Sequence, residues 1–204
     1  MIKYSIDIIQ RKGWKVLNKE FVDAIENSPI IAAVSDMDHL EKCLSSESKV
    51  IFILFGDICN IADIVDQVKS AGKIAMVHID LIIGLSSKEI SVDFIKKYTK
   101  ADGIISTKYS LIKRAKELGL YTILRFFVID SLALNNIVKQ LSLVKPDFVE
   151  VLPGLMPKVI KKISEMTPVP IIAGGLIAEK EDVLSILSSG AISISTTNPD
   201  VWFM

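Results

Sequence analysis

The stretch PIIAGGLI (Pro170–Ile177) carries an apolar run straight into two adjacent glycines, and AISISTTNP (Ala191–Pro199) ends the next run on small hydroxyl residues. A short run with no polar alternation reads as a strand buried on both faces, which belongs to a parallel sheet covered by helices. Glycine at such a strand end supplies positive φ, and serine or threonine caps the helix that follows. The same residues also expose backbone N–H groups and hydroxyls to an anion. Choosing between turn and cradle requires the position of these strands in the whole chain.

Working outward, the pattern recurs about every 20 to 25 residues, the size of a strand–helix unit. The apolar runs are IIAAV (30–34), VIFILF (50–55), IAMVHI (74–79), GIIS (103–106), YTILRFF (121–127), FVEVL (148–152), PIIAG (170–174) and AISIS (191–195). Amphipathic segments such as NIADIVDQVKSAGK and SLIKRAKELG lie between them, closing on Gly72 and Gly119 as helix stops. Ser86 and Glu89 have the spacing of a capping box. Strict alternation of eight strands with helices favours a closed (β/α)8 TIM-barrel-like α/β domain over an open doubly wound sheet, although periodicity alone does not show closure. The barrel domain occupies residues 29–204, with a truncated last helix: only DVWFM follows Pro199. Residues 1–28 form an N-terminal extension with a helical pattern in WKVLNKEFVDAIEN (14–27), placed to cover the gap left by the missing eighth helix.

Half of the 204 residues are apolar, and 24 basic side chains balance 24 acidic ones. That balance argues against disorder and against overall attraction to nucleic acid or anionic membrane. Two cysteines without metal-like spacing suit a reduced, cytoplasmic setting. No apolar run reaches the roughly 18 residues of a membrane span, and the N-terminus has no secretory pattern.

In a barrel of this kind the working groups stand at the C-terminal ends of the strands. The loops after strands seven and eight are the recurring phosphate site, so Gly174, Gly175, Ser195, Thr196 and Thr197 become the candidate phosphate-binding set, with Asn198 and Pro199 opening a short helix. Asp200 is discordant unless it points away. Arg125 and Glu150 interrupt apolar strands and are costly to bury unpaired. They read either as a structural ion pair or as a polar floor for a ligand. His78 and Asp80 lie two apart on strand three and complete a candidate hydroxyl-binding group with Arg125 and Glu150. Asp57 and Lys108 are further candidate contacts. Asp57, Asp80 and Glu150 are also the residues that would hold Mg²⁺, and Lys108 is the one that would form a Schiff base; no metal spacing and no catalytic residue is assigned. The loop LIIGLSS (81–87), with Gly84 as hinge, is the candidate mobile element.

The strings HIDLIIGLSS, DGIISTK, LIKRAKELGL, RFFVIDSLAL, KPDFVEVLPGLMPKVI, PIIAGGLI and STTNPDVW together resemble the glycerol-3-phosphate responsive antiterminators, regulators of glycerol uptake and use in bacteria. The likeness runs from about Pro29 to Phe203. It implies a TIM-barrel-like fold, no cofactor, glycerol 3-phosphate as effector, and action on the leader mRNA of glycerol-utilisation operons without catalytic turnover. The residue reading agrees on the ligand, since glycerol 3-phosphate needs an anion cradle and hydroxyl partners. It offers RNA only lysine-rich helix faces: Lys96, Lys97 and Lys100, with Lys113, Arg114 and Lys116 on the neighbouring helix, and Lys158, Lys161 and Lys162 further on. The competing reading is a barrel enzyme, isomerase or phosphodiesterase, acting on a small phosphorylated polyol or triose. A homo-oligomer is left open, and no membrane partner is expected.

Overall fold

The computed structural model describes residues 19–204. Eight strands close into one parallel barrel in the order of the sequence. They are β1 (Ile30–Val34), β2 (Val50–Ile53), β3 (Ile74–His78), β4 (Gly103–Ser106), β5 (Tyr121–Phe127), β6 (Phe148–Leu152), β7 (Ile171–Gly174) and β8 (Ser193–Thr196). Closure is made by β1 against β8, with Ile31 opposite Ser195. The open-sheet alternative is thereby removed.

The helices are α1 (Lys19–Asn27), α2 (Met37–Leu44), α3 (Ile61–Ser70), α4 (Ile90–Tyr98), α5 (Tyr109–Glu117), α6 (Ser131–Val144), α7 (Pro157–Met166), α8 (Lys180–Ser188) and α9 (Pro199–Trp202). Local chemistry sets where they start. Asp36 accepts the His39 N–H at 2.8 Å to open α2, and Asp130 accepts the Ala133 N–H at 2.7 Å to open α6; each satisfies an N–H that the first helical turn leaves unpaired. The expected box at Ser86 and Glu89 does not form. α4 begins at Ile90, and Ser86 instead pairs with Ser91 through its N–H and its carbonyl.

Because side chains alternate along each strand, two cores result. Ala32, Val77, Ile104, Val149 and Ala173 face the helices, while Ile31, Phe52, Met76, Ile105, Ile123 and Ile172 fill the barrel interior. α1 belongs to the interior. Phe21 and Ile25, one helical turn apart, are buried there, and Phe21 stacks on Phe148 at 4.5 Å and lies 5.1 Å from Tyr121. Phe148 and Tyr121 are the first residues of their strands, so α1 plugs the N-terminal end of the barrel. It does not cover the gap on the wall, as the sequence suggested. An apolar pair at i and i+4 specifies a buried face without saying which surface buries it.

The wall beside β8 and β1 is sealed by α9. Trp202 and Val201 are buried, and Trp202 donates its indole N–H to the Thr196 carbonyl at 2.8 Å and meets His39 edge-on at 5.7 Å. Four residues ending in a large aromatic do what a full eighth helix does elsewhere in the ring.

Candidate functional site

The C-terminal ends of the strands form the mouth, where polar groups are concentrated. Arg125 on β5 and Glu150 on β6 are direct register partners, and the Arg125 Nε donates to Glu150 Oε2 at 2.5 Å. The other carboxylate oxygen accepts the Ser195 hydroxyl of β8 at 2.6 Å. This bond passes over β7, and Gly174 makes room for it. A Cβ there would sit 2.4 Å from Ser195 Oγ and 2.7 Å from Glu150 Oε1. Gly174 is therefore a matter of space and not of turn conformation. Glu150 is fully buried, so it acts as the keystone that orients Arg125 and Ser195 from behind and presents no face to an incoming molecule.

A second polar group stands across the mouth. Asp80, in the 3-10 turn after β3, accepts from the Thr107 N–H at 2.7 Å, the Thr107 hydroxyl at 3.0 Å, the Ser106 hydroxyl at 3.0 Å and Lys108 Nζ at 3.0 Å. Burial alone would push the Asp80 carboxyl up; the donors from Thr107, Lys108 and Ser106 outweigh it and hold the group below the ordinary aspartate value. Its lone pairs are spent on β4. The Lys108 ammonium is an ion-pair member, not the desolvated amine a Schiff base requires. Ser106 was not singled out in the sequence. Its signal is a buried hydroxyl at a strand end, two residues before Lys108, and its Oγ also accepts the Lys108 N–H at 3.0 Å.

His78 lies between the two groups. It is inward on β3, two residues after Met76, and only 3 % exposed, with no partner for its Nδ1 among the described residues. Burial, aided by the nearby Arg125 cation, pushes the imidazole down to about 4 against the pull of Asp80. At neutral pH it is an uncharged ring.

Asp57 turns inward on its own loop. It accepts from the Cys59 N–H at 2.7 Å and the Asn60 side-chain amide at 3.1 Å, which makes it a turn former. Asp57, Asp80 and Glu150 do not converge, and the described residues hold no group of three or more acidic, His or Cys side chains fit for a metal. The loop carrying Gly84 is tied to the loop after β2: the Ile83 N–H donates to Gly56 and the Ile58 N–H to Ile83, both at 3.0 Å. A Cβ at Gly84 would press on Ile58 at 3.0 Å. Gly84 is thus a packed turn and not a free hinge.

On the phosphate side, the groups divide. Thr196 donates its hydroxyl to the Ile177 carbonyl at 2.8 Å and accepts the Asn198 N–H at 3.1 Å. Asn198 in turn caps the Asp200 N–H at 3.1 Å. The start of α9 is therefore satisfied by its own residues, Thr196 is a latch between the two loops, and Asp200 is exposed to solvent. By contrast the backbone N–H groups of Leu176 and Thr197 have no backbone acceptor among the described residues, whereas Gly174 pairs with Ser195 in the β7–β8 ladder, whose alternation turns the Gly175 N–H toward the Ser195 carbonyl. Gly175 and Leu176 both have left-handed backbone, at φ 81° and 64°. Leucine rarely accepts that conformation.

The basic helix candidates are also sorted by their partners. Arg114 is engaged by Asp93 at 2.5 Å and Glu117 at 3.1 Å, and Lys100 by Asp66 at 2.9 Å. These two brace the helix layer. Lys96, Lys97 and Lys113 are exposed and have no carboxylate partner among the described residues.

Fold and mouth define a single-chain parallel (β/α)8 barrel with its polar groups gathered at one end and held in ion-paired networks. Against known proteins the assignment is specific. The chain belongs to the glycerol-3-phosphate responsive antiterminator family, whose model matches residues 30–202. It is 44% identical over 178 residues to the uncharacterized protein YgcP of Escherichia coli strain K12, covering 87% of this chain and 93% of that one. A glycerol uptake operon antiterminator regulatory protein from Listeria monocytogenes is 35% identical with a TM-score of 0.83, covering 86% of this chain and 95% of the other. A glycerol uptake operon antiterminator-related protein from Thermotoga maritima is 37% identical with a TM-score of 0.76, covering 85% and 96%. The family is one of regulators that respond to glycerol 3-phosphate, not of enzymes. No helix among the described residues is long and apolar enough to cross a membrane.

Proposed function

We propose that the barrel mouth is the receptor for glycerol 3-phosphate and that the occupied protein acts on the leader mRNA of glycerol-utilisation operons in the cytoplasm. The observation that carries the ligand reading is the pair of backbone amides at Leu176 and Thr197, on the loops after β7 and β8, that have no backbone acceptor among the described residues. Backbone N–H groups aimed at a phosphate give charge-assisted hydrogen bonds without a side-chain entropy cost. Arg125 supplies the cation. Its Nε is fixed by Glu150, which leaves the two Nη nitrogens for an anion above the floor. His78, neutral and short of a partner, suits a hydroxyl of the polyol better than the phosphate. Ser195 supports the floor through Glu150, and Lys108 stands on the opposite rim.

Two side chains leave the ligand set in this reading: Asp57 is spent on its turn and Thr196 on its latch. Asp80 becomes the anchor of Ser106, Thr107 and Lys108. The RNA surface is narrowed in the same way, to the exposed lysines Lys96, Lys97 and Lys113 and the α7 lysines Lys158, Lys161 and Lys162. Calorimetric titration of the protein with glycerol 3-phosphate and with glycerol, followed by analysis of the mixture, tests the reading. Saturable binding of the phosphate ester, recovered unchanged, supports a sensor. Equal binding of glycerol, or release of dihydroxyacetone phosphate or inorganic phosphate, overturns it.

A further inference from the structure

At the floor of the mouth the carboxylates are engaged and the N–H groups are not. Both oxygens of Glu150 are taken, Oε2 by Arg125 and Oε1 by Ser195. Those of Asp80 are taken by Ser106, Thr107 and Lys108. The buried hydroxyls also direct their protons into the chain: Ser106 to Asp80, Ser195 to Glu150 and Thr196 to the Ile177 carbonyl. The unengaged capacity is mostly N–H. The Leu176 and Thr197 amides have no backbone acceptor among the described residues. Arg125 gives only its Nε to Glu150, which leaves both Nη nitrogens. An ammonium has three N–H groups, and Lys108 gives one to Asp80. The acceptor left beside them is the His78 ring, whose Nδ1 has no partner among the described residues.

This imbalance bears on the class of ligand. A hydroxyl brings a proton that needs an acceptor, whereas a carboxylate brings acceptors and a charge. Glycerol 3-phosphate has two hydroxyls. His78 suits one of them, and the floor keeps no unengaged carboxylate for the proton of the other. A three-carbon phosphate ester whose far carbon is a carboxylate keeps its phosphate for the amides and its middle hydroxyl for His78. It replaces the second hydroxyl by an anion, which Arg125 and Lys108 can meet with charge-assisted hydrogen bonds. Both cations lie close enough to His78 to disfavour its protonation, so the three groups share one floor. The outer rim carries both signs, with exposed Lys158 and Lys180 against exposed Glu181 and Asp200, and the preference therefore resides in the floor. Resting on the effector reading above, we infer that the mouth also takes small phosphorylated hydroxy acids of the phosphoglycerate class, with the carboxylate on Lys108 and Arg125. Such a ligand competes with glycerol 3-phosphate for one site. The regulator then reads the ratio of polyol phosphate to phosphorylated acid, because each lowers the occupancy of the other by mass action.

Calorimetric titration of the full chain with 3-phosphoglycerate, alone and in the presence of glycerol 3-phosphate, tests this. Saturable binding of 3-phosphoglycerate is expected, at least as tight as that of glycerol 3-phosphate, with an apparent dissociation constant that rises in proportion to added glycerol 3-phosphate. Lys108→Met should weaken 3-phosphoglycerate more than glycerol 3-phosphate, by a factor of about ten, the scale of one charge-assisted hydrogen bond. Lys108→Arg keeps the cation and should restore most of that difference, which separates the charge from any disturbance of Asp80. Binding of glycerol 3-phosphate without binding of 3-phosphoglycerate overturns the inference and leaves the effector reading standing. So does 3-phosphoglycerate binding that glycerol 3-phosphate does not displace, since the acid then sits elsewhere. Equal losses for both ligands in Lys108→Met overturn the seat given to the carboxylate. A protein that binds 3-phosphoglycerate and not glycerol 3-phosphate sinks the effector reading alone, and one that binds neither sinks both.

Discussion

Glu150 and Ser195 are hydrogen-bonded at 2.6 Å across a strand to which neither belongs. The bond exists because β7 ends its inward face on Gly174, so a carboxylate from β6 can reach a hydroxyl on β8 over bare backbone. Gly174→Ala places a methyl group within 3 Å of both partners and should destabilise the fold by about 1–3 kcal/mol, the usual range for overpacking a filled core. Ser195→Ala removes the nearer obstruction. In a double-mutant cycle followed by denaturant unfolding, the pair should cost less than the sum of the single changes. A Gly174→Ala variant as stable as wild type would mean the gap above β7 is not filled by this bond.

The Arg125–Glu150 pair gives a second expectation. Glu150→Ala leaves a guanidinium at the barrel floor without its counter-charge, and breaking a buried pair from one side costs about 3–5 kcal/mol. Replacing both with methionine should recover much of that loss, since no charge is then left unpaired. Equilibrium unfolding of the three variants checks the order. An ordering in which the double change is the worst of the set contradicts the role given to the pair.

Much of this arrangement is legible in the sequence. Apolar strands such as Gly103–Ser106 and Tyr121–Phe127 stand out because a parallel strand covered on both sides leaves little room for polar residues. Arg125 and Glu150 stand out for the same reason. What the sequence hides is which partner satisfies each polar group. Asp57 looks like a ligand contact but serves Asn60, three residues on; Asp80 is claimed by Ser106, Thr107 and Lys108 on the next strand. Thr196 looks like a phosphate donor, yet its hydroxyl proton goes to Ile177. Strand-end position shows that a side chain is near the mouth, and only three-dimensional geometry shows whether its donors are still available. α1 carries the same lesson, since Phe21 could have been buried against either the wall or the floor.

His78 makes stability depend on pH in a definite direction. Its folded-state pKa of about 4 lies below the ordinary histidine value of 6.5, so between these two values the unfolded chain binds more protons. Stability therefore falls as pH drops from about 6.5 toward 4, at a limiting slope of about 1.4 kcal/mol per pH unit. Above this window the term vanishes. Asp80, with its pKa lowered, loses its contribution only at lower pH, as it is protonated below the ordinary aspartate range. Unfolding measured at pH 7 and pH 5 should show the loss in wild type and a smaller one in His78→Phe. Equal losses in both proteins would assign the effect to other groups.

At the phosphate loop, Gly175 has φ 81°, and a would-be Cβ meets only ordinary van der Waals contact, the nearest atom being Leu152 Cδ2 at 3.4 Å. Gly175→Val therefore acts through backbone conformation and not through a clash. Forcing the residue out of the left-handed region redirects the amides of Gly175 and Leu176. Affinity for glycerol 3-phosphate should fall at least tenfold, and any weak binding of glycerol should change little. Calorimetry on a variant shown to be folded decides it. Parallel losses for both ligands would detach the phosphate from this loop.

For RNA, the distinction lies between lysines that are already paired and those that are not. Lys100 and Arg114 hold Asp66 and Asp93, so reversing them removes a brace between helices. Lys96, Lys97 and Lys113 have no such carboxylate, and Lys97 lies 5.1 Å from the ring of exposed Tyr98. If these three contact phosphates of a single-stranded leader, each contributes about 0.7 to the slope of log affinity against log salt. Reversing all three to glutamate should lower that slope by about 2 and weaken binding most at low salt. Glycerol 3-phosphate affinity measured without RNA should be unchanged, because the lysines stand on the outer helices. Reversing Lys158, Lys161 and Lys162 on α7 in a parallel variant shows which face is used. If neither triple reversal alters the salt slope, the leader RNA is held elsewhere, and these lysines serve only to keep the helix faces in water.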